Sequence, residues 1–158
     1  KEYGRPMRVL EAVEAVNEAQ KHVLFEKFSR YFGGDLKGRR VAVWGLAFKP
    51  ETDDMREAPS LVLINSLLEA GCEVAVYDPI AMPEARRRLV DRVRYARDVY
   101  DSALDVDAIF HVTEWKAFRM PAWEVLRRSV KTPLLIDGRN VFDTDPVEAG
   151  FTLLQIGQ

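Results

Sequence analysis

The 158-residue sequence contains only one cysteine, Cys72, and carries almost no net charge. A single cysteine excludes an intramolecular disulfide and a zinc site made of cysteines. The 23 Lys and Arg residues nearly balance the 25 Asp and Glu residues, which argues against a general nucleic-acid surface. No apolar run approaches the ~20 residues of a membrane span, and no signal sequence opens the chain. We therefore expect a cytoplasmic protein with no nucleic-acid partner, no membrane partner and no metal site.

Hydrophobic residues make up 47% of the sequence and charged residues 30%, a balance typical of a packed core with a solvated surface. The length predicts one compact domain with a short appendage. The first residue is Lys1 rather than Met, which indicates a fragment or a processed chain.

The first part of the chain predicts one long amphipathic helix. Apolar residues recur at helical spacing from Pro6 to about Phe32, and Gly33 and Gly34 mark its end. We therefore place a boundary between residues 1–34 and 35–158. Such a helix must cover its apolar stripe with the following domain or with another subunit.

Strand and helix patterns alternate through the rest of the sequence. The buried strands are predicted at Arg40–Leu46, Glu73–Asp78, Ala108–Val112 and Leu134–Asp137, with weaker strands near Val93 and at Phe151–Ile156. Helices are predicted from Pro59 to Gly71 and at Pro83–Val90, Val99–Leu104 and Ala122–Val130. This alternation predicts an α/β fold, a doubly wound parallel sheet preceded by one long helix.

The loop after the first strand is unusually long. It spans thirteen residues, 46–58, where about two to six are usual. Gly45 stands in place of the G-x-G-x-x-G fingerprint, so the usual dinucleotide-binding turn is absent. Phe48 offers an apolar surface, and Lys49 and Arg56 are cations that suit phosphate oxygens.

A second interpretation of this loop stays open. Asp53 and Asp54 could pair with Lys49 and Arg56, which would make the loop a self-contained salt-bridge cluster.

A second polar segment, Asp137–Asn140, follows the fourth buried strand. Both loops should open on the same edge of the sheet, where Arg139 could reach the anion that Lys49 approaches. Gly138 would permit a backbone turn that a Cβ would obstruct. The alternative is an ordinary turn with an exposed arginine.

Other polar residues carry weaker hypotheses. Asp78 is expected to cap a turn, His111 to be a core histidine with its hydrogen bonds satisfied, and Cys72 to be a packing residue. The segment Thr113–Trp115 could border the crevice, although a helix cap explains it equally well.

The segment Gly45–Ser60, with the sequence GLAFKPETDDMREAPS, closely resembles the signature loop of the UDP-glucose/GDP-mannose dehydrogenase family. Asp137–Asn140 resembles a later motif of that family, Thr113–Trp115 an intermediate one, and Val16–Gln20 its central helix. Pro50, Thr52 and Met55 look more like the UDP-glucose branch than the GDP-mannose branch.

The resemblance implies the domain organisation. Members combine an NAD-binding domain, a central helical dimerisation segment and a C-terminal UDP-binding domain. Residues 1–34 would be the end of the central segment, forming a homodimer, and residues 35–158 the Rossmann-like UDP-binding domain.

The resemblance also implies roles for individual residues. Phe48, Lys49 and Arg139 would contact the UDP-sugar, and Arg56 would reach the NAD held by the first domain. The family reaction oxidises UDP-glucose to UDP-glucuronate with two NAD molecules, through a thiohemiacetal on a catalytic cysteine. That cysteine and the glycine fingerprint belong to segments outside this sequence. The chain therefore has no predicted catalytic residue and is expected to bind UDP-sugar without catalysis.

Other functions stay open. One is a related dehydrogenase acting on GDP-mannose or UDP-N-acetylmannosamine. Another is a non-catalytic interaction domain that dimerises through its helix. The missing fingerprint disfavours a stand-alone dehydrogenase.

Overall fold

The computed structural model describes residues 21–139, 142 and 145–156. Its centre is a six-stranded sheet in the order β3-β2-β1-β4-β5-β6, with every neighbouring pair parallel. The strands are β1 (Arg40–Trp44), β2 (Glu73–Tyr77), β3 (Arg94–Tyr95), β4 (Ala108–His111), β5 (Leu134–Asp137) and β6 (Thr152–Gln155). This is a strand order of doubly wound sheets, so the predicted fold class is confirmed.

Helices cover both faces of the sheet. Within the described residues they are α1 (21–31), α2 (Pro59–Glu69), α3 (Met82–Leu89), α4 (Val99–Ser102) and α5 (Trp123–Ser129), with a 3₁₀ turn at Lys116–Phe118. Strand β1 shows why both faces are needed, because its side chains alternate between them. Val41 and Val43 pack with α1, α2 and α3, whereas Ala42 and Trp44 pack with α4 and α5.

Helix α1 packs against the sheet of its own chain. Leu24 and Phe28 are buried, and the Phe28 ring meets Phe110 of β4 edge-on with ring centroids 5.3 Å apart. The helix ends where the sequence predicts, because Gly33 has a φ of 61° and the Gly34 N–H donates to the Ser29 carbonyl at 2.8 Å. The described part of the helix therefore covers its apolar stripe with the following domain.

Residues 1–20 lie outside the described residues, and with them the predicted start of the helix and the Val16–Gln20 motif. Over the residues that the structure describes, no helix combines the length and the apolar composition needed to cross a membrane.

Candidate functional site

Polar segments follow three adjacent strands at the carboxyl edge of the sheet. Residues 45–58 follow β1, residues 112–115 follow β4, and residues 138–139 follow β5. Because β1, β4 and β5 are parallel neighbours in that order, these segments leave the same edge. The expectation that the two loops open on one edge is confirmed, and residues 112–115 leave the strand between them.

The base of the β1–α2 loop is fixed to the neighbouring segments. Gly45 has a φ of 91°, and a Cβ there would lie 2.5 Å from both the Cβ and the backbone nitrogen of Thr113. The Thr113 hydroxyl donates to the Ala47 carbonyl at 2.7 Å, and the Ser60 hydroxyl donates to the Leu46 carbonyl at 2.7 Å. Glycine is therefore required at the point where β1 ends and the loop begins.

Asp78, directly after β2, is the acceptor that holds this base together. Its carboxylate is buried and accepts five hydrogen bonds. Oδ2 accepts from the backbone N–H groups of Leu46 and Ala47 and from the Trp115 indole, and Oδ1 accepts from the N–H groups of Ile80 and Ala81. The turn-capping interpretation of Asp78 is therefore confirmed, and the residue also organises the loop after the neighbouring strand.

The far part of the loop presents Phe48 and Lys49 to solvent. Phe48 is 56% exposed although it is a large apolar residue, while its backbone N–H donates to the Asp54 carbonyl at 2.7 Å. Lys49 is exposed and has no ion-pair partner among the described residues. The backbone is fixed at this point, and both side chains are accessible to a ligand.

Arg56 is paired within the loop. Its Nε and Nη2 atoms each lie 3.0 Å from a carboxylate oxygen of Asp54. The hydrogen bonds from Arg56 lower the pKa of Asp54 from 3.8 to about 2. The salt-bridge interpretation of the loop is therefore correct for Arg56, but it does not extend to Lys49.

Arg139 is paired with a carboxylate from another segment, Glu114. Arg139 Nε donates to Glu114 Oε1 at 3.0 Å, and Nη2 donates to Oε2 at 2.7 Å. Burial is the largest single influence on the pKa of Glu114 and raises it, but the hydrogen bonds and the positive charge of Arg139, together with a backbone hydrogen bond, leave the pKa lowered. The side chain of Arg139 remains 41% exposed. The alternative of an ordinary turn with an exposed arginine is therefore only partly right, because Arg139 is exposed but also paired. Glu114 belongs to the segment that was expected to border the crevice, but its pairing with Arg139 was not predicted.

A buried pair lies directly beneath Arg139. His111 Nδ1 and Asp137 Oδ1 are 2.9 Å apart, and Oδ1 also accepts the backbone N–H of Arg139 at 2.8 Å. His111 Nε2 is buried without a hydrogen-bond partner in the described part of the chain, and the imidazole ring lies near the rings of Phe118 and Phe142. The expectation that this histidine is fully hydrogen-bonded is therefore wrong, because only one ring nitrogen is.

Gly138 lies in a tightly packed position and has no special backbone angle. Its φ lies outside the left-handed region, and a Cβ there would lie 3.2 Å from Leu24 Cδ1 and 3.3 Å from the His111 carbonyl oxygen. The expected role in a special backbone turn is therefore not borne out, and a Cβ would instead make tight contacts with helix α1 and with the end of β4.

Comparison with known proteins identifies the family. The sequence profile described as "UDP-glucose/GDP-mannose dehydrogenase family, UDP binding domain" matches residues 42–144. The chain belongs to this family. That match covers all of the β1–α2 loop together with the Glu114 and Arg139 segments.

Relatives within the dehydrogenase family match nearly the whole chain. A UDP-glucose 6-dehydrogenase of Pseudomonas aeruginosa is 45% identical over 98% of this chain and 36% of its own length. One of Rhizobium meliloti is 40% identical over 99% of this chain and 36% of its own length. A solved UDP-glucose dehydrogenase from Pyrobaculum islandicum is 31% identical with a TM-score of 0.81, over 97% of this chain and 33% of that one. The chain thus spans about a third of the length of the relatives it matches.

The described residues of this family member do not fit a complete NAD site. Gly45 packs on Thr113 instead of opening a glycine-rich turn, and Asp78 uses its carboxylate on protein donors rather than leaving it for a ribose. Cys72 is also unsuited to covalent chemistry, because burial raises the pKa of its thiol to about 11. Gly45 and Asp78 thus form no dinucleotide-binding turn, and Cys72 is not a reactive thiol.

Proposed function

We propose that this chain binds the uridine diphosphate part of a nucleotide sugar at the carboxyl edge of its sheet. Lys49 and Arg139 would contact phosphate oxygens, and the exposed ring of Phe48 would pack against the ligand. The observation that carries the proposal is the lack of an ion-pair partner for Lys49 among the described residues, on a loop whose base is fixed. An exposed lysine on a rigid loop suits a diphosphate, because its ammonium donates up to three charge-assisted hydrogen bonds.

We propose UDP-glucose as the sugar nucleotide and an NAD-dependent UDP-glucose 6-dehydrogenase as the whole enzyme, acting in the cytoplasm and producing UDP-glucuronate. The relatives at 45% and 40% identity support this choice, since both are UDP-glucose 6-dehydrogenases. The chain would supply the UDP-binding domain and no catalytic residue. NAD would be held mainly by another domain, with Arg56 reaching it across the interface.

Calorimetric titration of the 158-residue chain with UDP tests the binding proposal. We expect saturable heat, and we expect Lys49→Ala and Arg139→Ala each to weaken binding by about 1.5–3 kcal/mol. Lys131→Ala is the matched control, because Lys131 is an exposed lysine that precedes β5 at the opposite edge of the sheet. A parallel titration with GDP tests the nucleotide preference.

A folded sample that gives no heat at millimolar UDP would contradict UDP binding. Unchanged affinity in both site variants would indicate instead that the loop charges serve only the fold. Tighter binding of GDP than of UDP would favour a GDP-mannose enzyme.

We further propose that the chain forms a homodimer through its N-terminal helical segment, residues 1–34. The described part of α1 already buries Leu24 and Phe28 within its own chain, so these two side chains are not available to a partner. Sedimentation of the chain with and without residues 1–20 tests this, because that truncation spares the packed part of the helix. We expect a dimer that dissociates on truncation, and a monomer in both samples would refute the proposal.

A further inference from the structure

The Arg139 guanidinium meets Glu114 along only one of its donor edges. The contact is side-on, through Nε to Oε1 and Nη2 to Oε2. A guanidinium has five N–H donors, and this contact uses two of them. Two N–H groups on Nη1 and one on Nη2 remain. None of these has a partner in the part of the chain that the structure describes. Two of the remaining donors, one on Nη1 and one on Nη2, form an end-on fork that can donate to two phosphate oxygens.

The backbone of Arg139 is fixed independently of its side chain. The Arg139 N–H donates to Asp137 Oδ1, an oxygen that also contacts His111 Nδ1. Both of these partners are fully buried. Arg139 is therefore held at two points, by a buried carboxylate at its backbone and by Glu114 at its guanidinium.

Glu114 is itself tied to the loop that carries Lys49. It lies between Thr113 and Trp115, and both neighbours are buried. The Thr113 hydroxyl donates to a backbone carbonyl of the β1–α2 loop, and the Trp115 indole donates to Asp78, which holds the start of that loop. The Glu114 carboxylate therefore fixes Arg139 relative to the base of the Lys49 loop.

We propose that Glu114 is a positioning residue, which orders the Arg139 side chain so that its end-on fork meets a phosphate of the bound nucleotide. The proposal rests on the proposed function. A free arginine side chain would lose conformational entropy when it bound a ligand. The contact with Glu114 orders the Arg139 side chain before the ligand binds, so this entropy is not lost on binding. It does so without burying an unpaired charge, because the two side chains neutralise each other.

The opposite role for Glu114 is that of a competitor, a carboxylate that the nucleotide must displace from Arg139. The geometry argues against it, because the side-on contact leaves the end-on fork unoccupied and the side chain 41% exposed. A phosphate can approach without breaking either existing hydrogen bond.

A double-mutant cycle measured by UDP calorimetry separates the two roles. The fold-loss in UDP affinity caused by Arg139→Gln is measured with Glu114 present and in the Glu114→Gln background. Direct repulsion between Glu114 and the diphosphate cancels in this comparison, because it is the same with or without Arg139. We expect a loss of about tenfold or more with Glu114 present and of less than about threefold without it.

Glu84→Gln is the matched control background. Like Glu114, Glu84 is a glutamate whose carboxylate accepts hydrogen bonds from arginine side chains, in this case Arg87 and Arg88, but it lies on helix α3. There the loss caused by Arg139→Gln should stay at about tenfold. An equal loss with and without Glu114 would overturn the proposal, and a larger loss without Glu114 would establish competition instead. If the folded, unchanged chain binds no UDP, the proposed function falls together with this inference. If it binds UDP but the coupling has the wrong sign, only this inference falls.

A second measurement does not depend on affinity. The Arg139 Nε–H resonance in a ¹H–¹⁵N spectrum can be assigned by its loss in Arg139→Gln. We expect it to keep its hydrogen-bonded shift when UDP saturates the chain, because the side-on contact persists. A change to the shift of a free arginine on UDP saturation would show displacement of Glu114 and overturn the proposal.

Discussion

Replacement of Asp78 should destabilise the fold more than replacement of any exposed acidic residue in the loop. The carboxylate is only 1% exposed and accepts four backbone N–H groups and one indole N–H. The five donors form two groups, three at Oδ2 and two at Oδ1. An asparagine has only one side-chain oxygen, so in Asp78→Asn that oxygen can accept from only one of these groups. The expected orientation keeps the three donors of Leu46, Ala47 and Trp115 and leaves those of Ile80 and Ala81 facing an NH₂ group.

The magnitude follows from the donors that lose their acceptor. The Ala81 N–H is buried and the Ile80 N–H is partly buried, so each costs about 1–2 kcal/mol when it is left unpaired. We therefore expect Asp78→Asn to lower the free energy of unfolding by about 2–4 kcal/mol, and Asp78→Ala to lower it further because all five donors lose their acceptor. Against a total stability of about 5–15 kcal/mol for a domain, either loss is large.

Urea denaturation, followed by far-UV circular dichroism, measures the change. Asp53→Asn is the matched control, because Asp53 is an exposed residue of the same loop with no described partner, and we expect a shift within about 0.5 kcal/mol. If the free energies of unfolding of Asp78→Asn and Asp78→Ala both stay within about 1 kcal/mol of that of the parent chain, the Asp78 carboxylate does not organise the base of the β1–α2 loop.

Two further predictions follow from the same loop. Gly45→Ala should lower the free energy of unfolding, measured in urea, by about 3 kcal/mol, because the new Cβ overlaps Thr113 and the alanine is strained at the positive φ of this position. Gly38→Ala is the control, since Gly38 has a φ of 82° but open space around it, and it should show only the backbone strain of about 1–2 kcal/mol. Equal losses in the two glycine variants would contradict the overlap. Arg56→Gln should raise the pKa of Asp54 from about 2 toward 3.8, measured by carboxyl ¹³C NMR titration. Because the folded pKa is lowered, the pair stabilises the fold above about pH 3.8 and this stabilisation is lost toward pH 2; a pKa of Asp54 that does not change in the variant would refute the pairing.

The fold was predictable because burial on both faces leaves a strong pattern in a parallel strand. The segments 41–44 and 134–136 are continuous apolar runs, and the structure places both inside the sheet. The end of α1 was equally visible, since Gly33 and Gly34 provide the left-handed residues that close a helix. Bounds differ from the predicted ones by a residue or two, in β1 and β4 because the buried apolar residues Leu46 and Val112 continue the pattern past the end of the strand.

The contacts within the site were only partly predictable. The Arg56–Asp54 pair joins residues two positions apart, so the sequence suggested it as an alternative. The Arg139–Glu114 pair joins residues 25 positions apart and depends on strand register. In that register His111 of β4 lies beside Asp137 of β5. Glu114 comes three residues after His111 and Arg139 comes two residues after Asp137, so the two side chains leave neighbouring strands at the same level. The order of strands and their register, rather than residue type, would have revealed that Glu114 pairs with Arg139.

The two arginines of the candidate site, Arg56 and Arg139, differ from Lys49 in how strongly their charges attract an anion from a distance. Arg56 and Arg139 each face a carboxylate, so their charges are largely cancelled a few ångströms away. Lys49 has no such partner among the described residues and is the cation whose field extends outward. In a chain with a net charge of −2, this arrangement limits long-range attraction to anions. Recognition of a diphosphate would therefore depend on short-range geometry, the fixed Lys49 loop and the oriented fork of Arg139, more than on the overall charge of the domain.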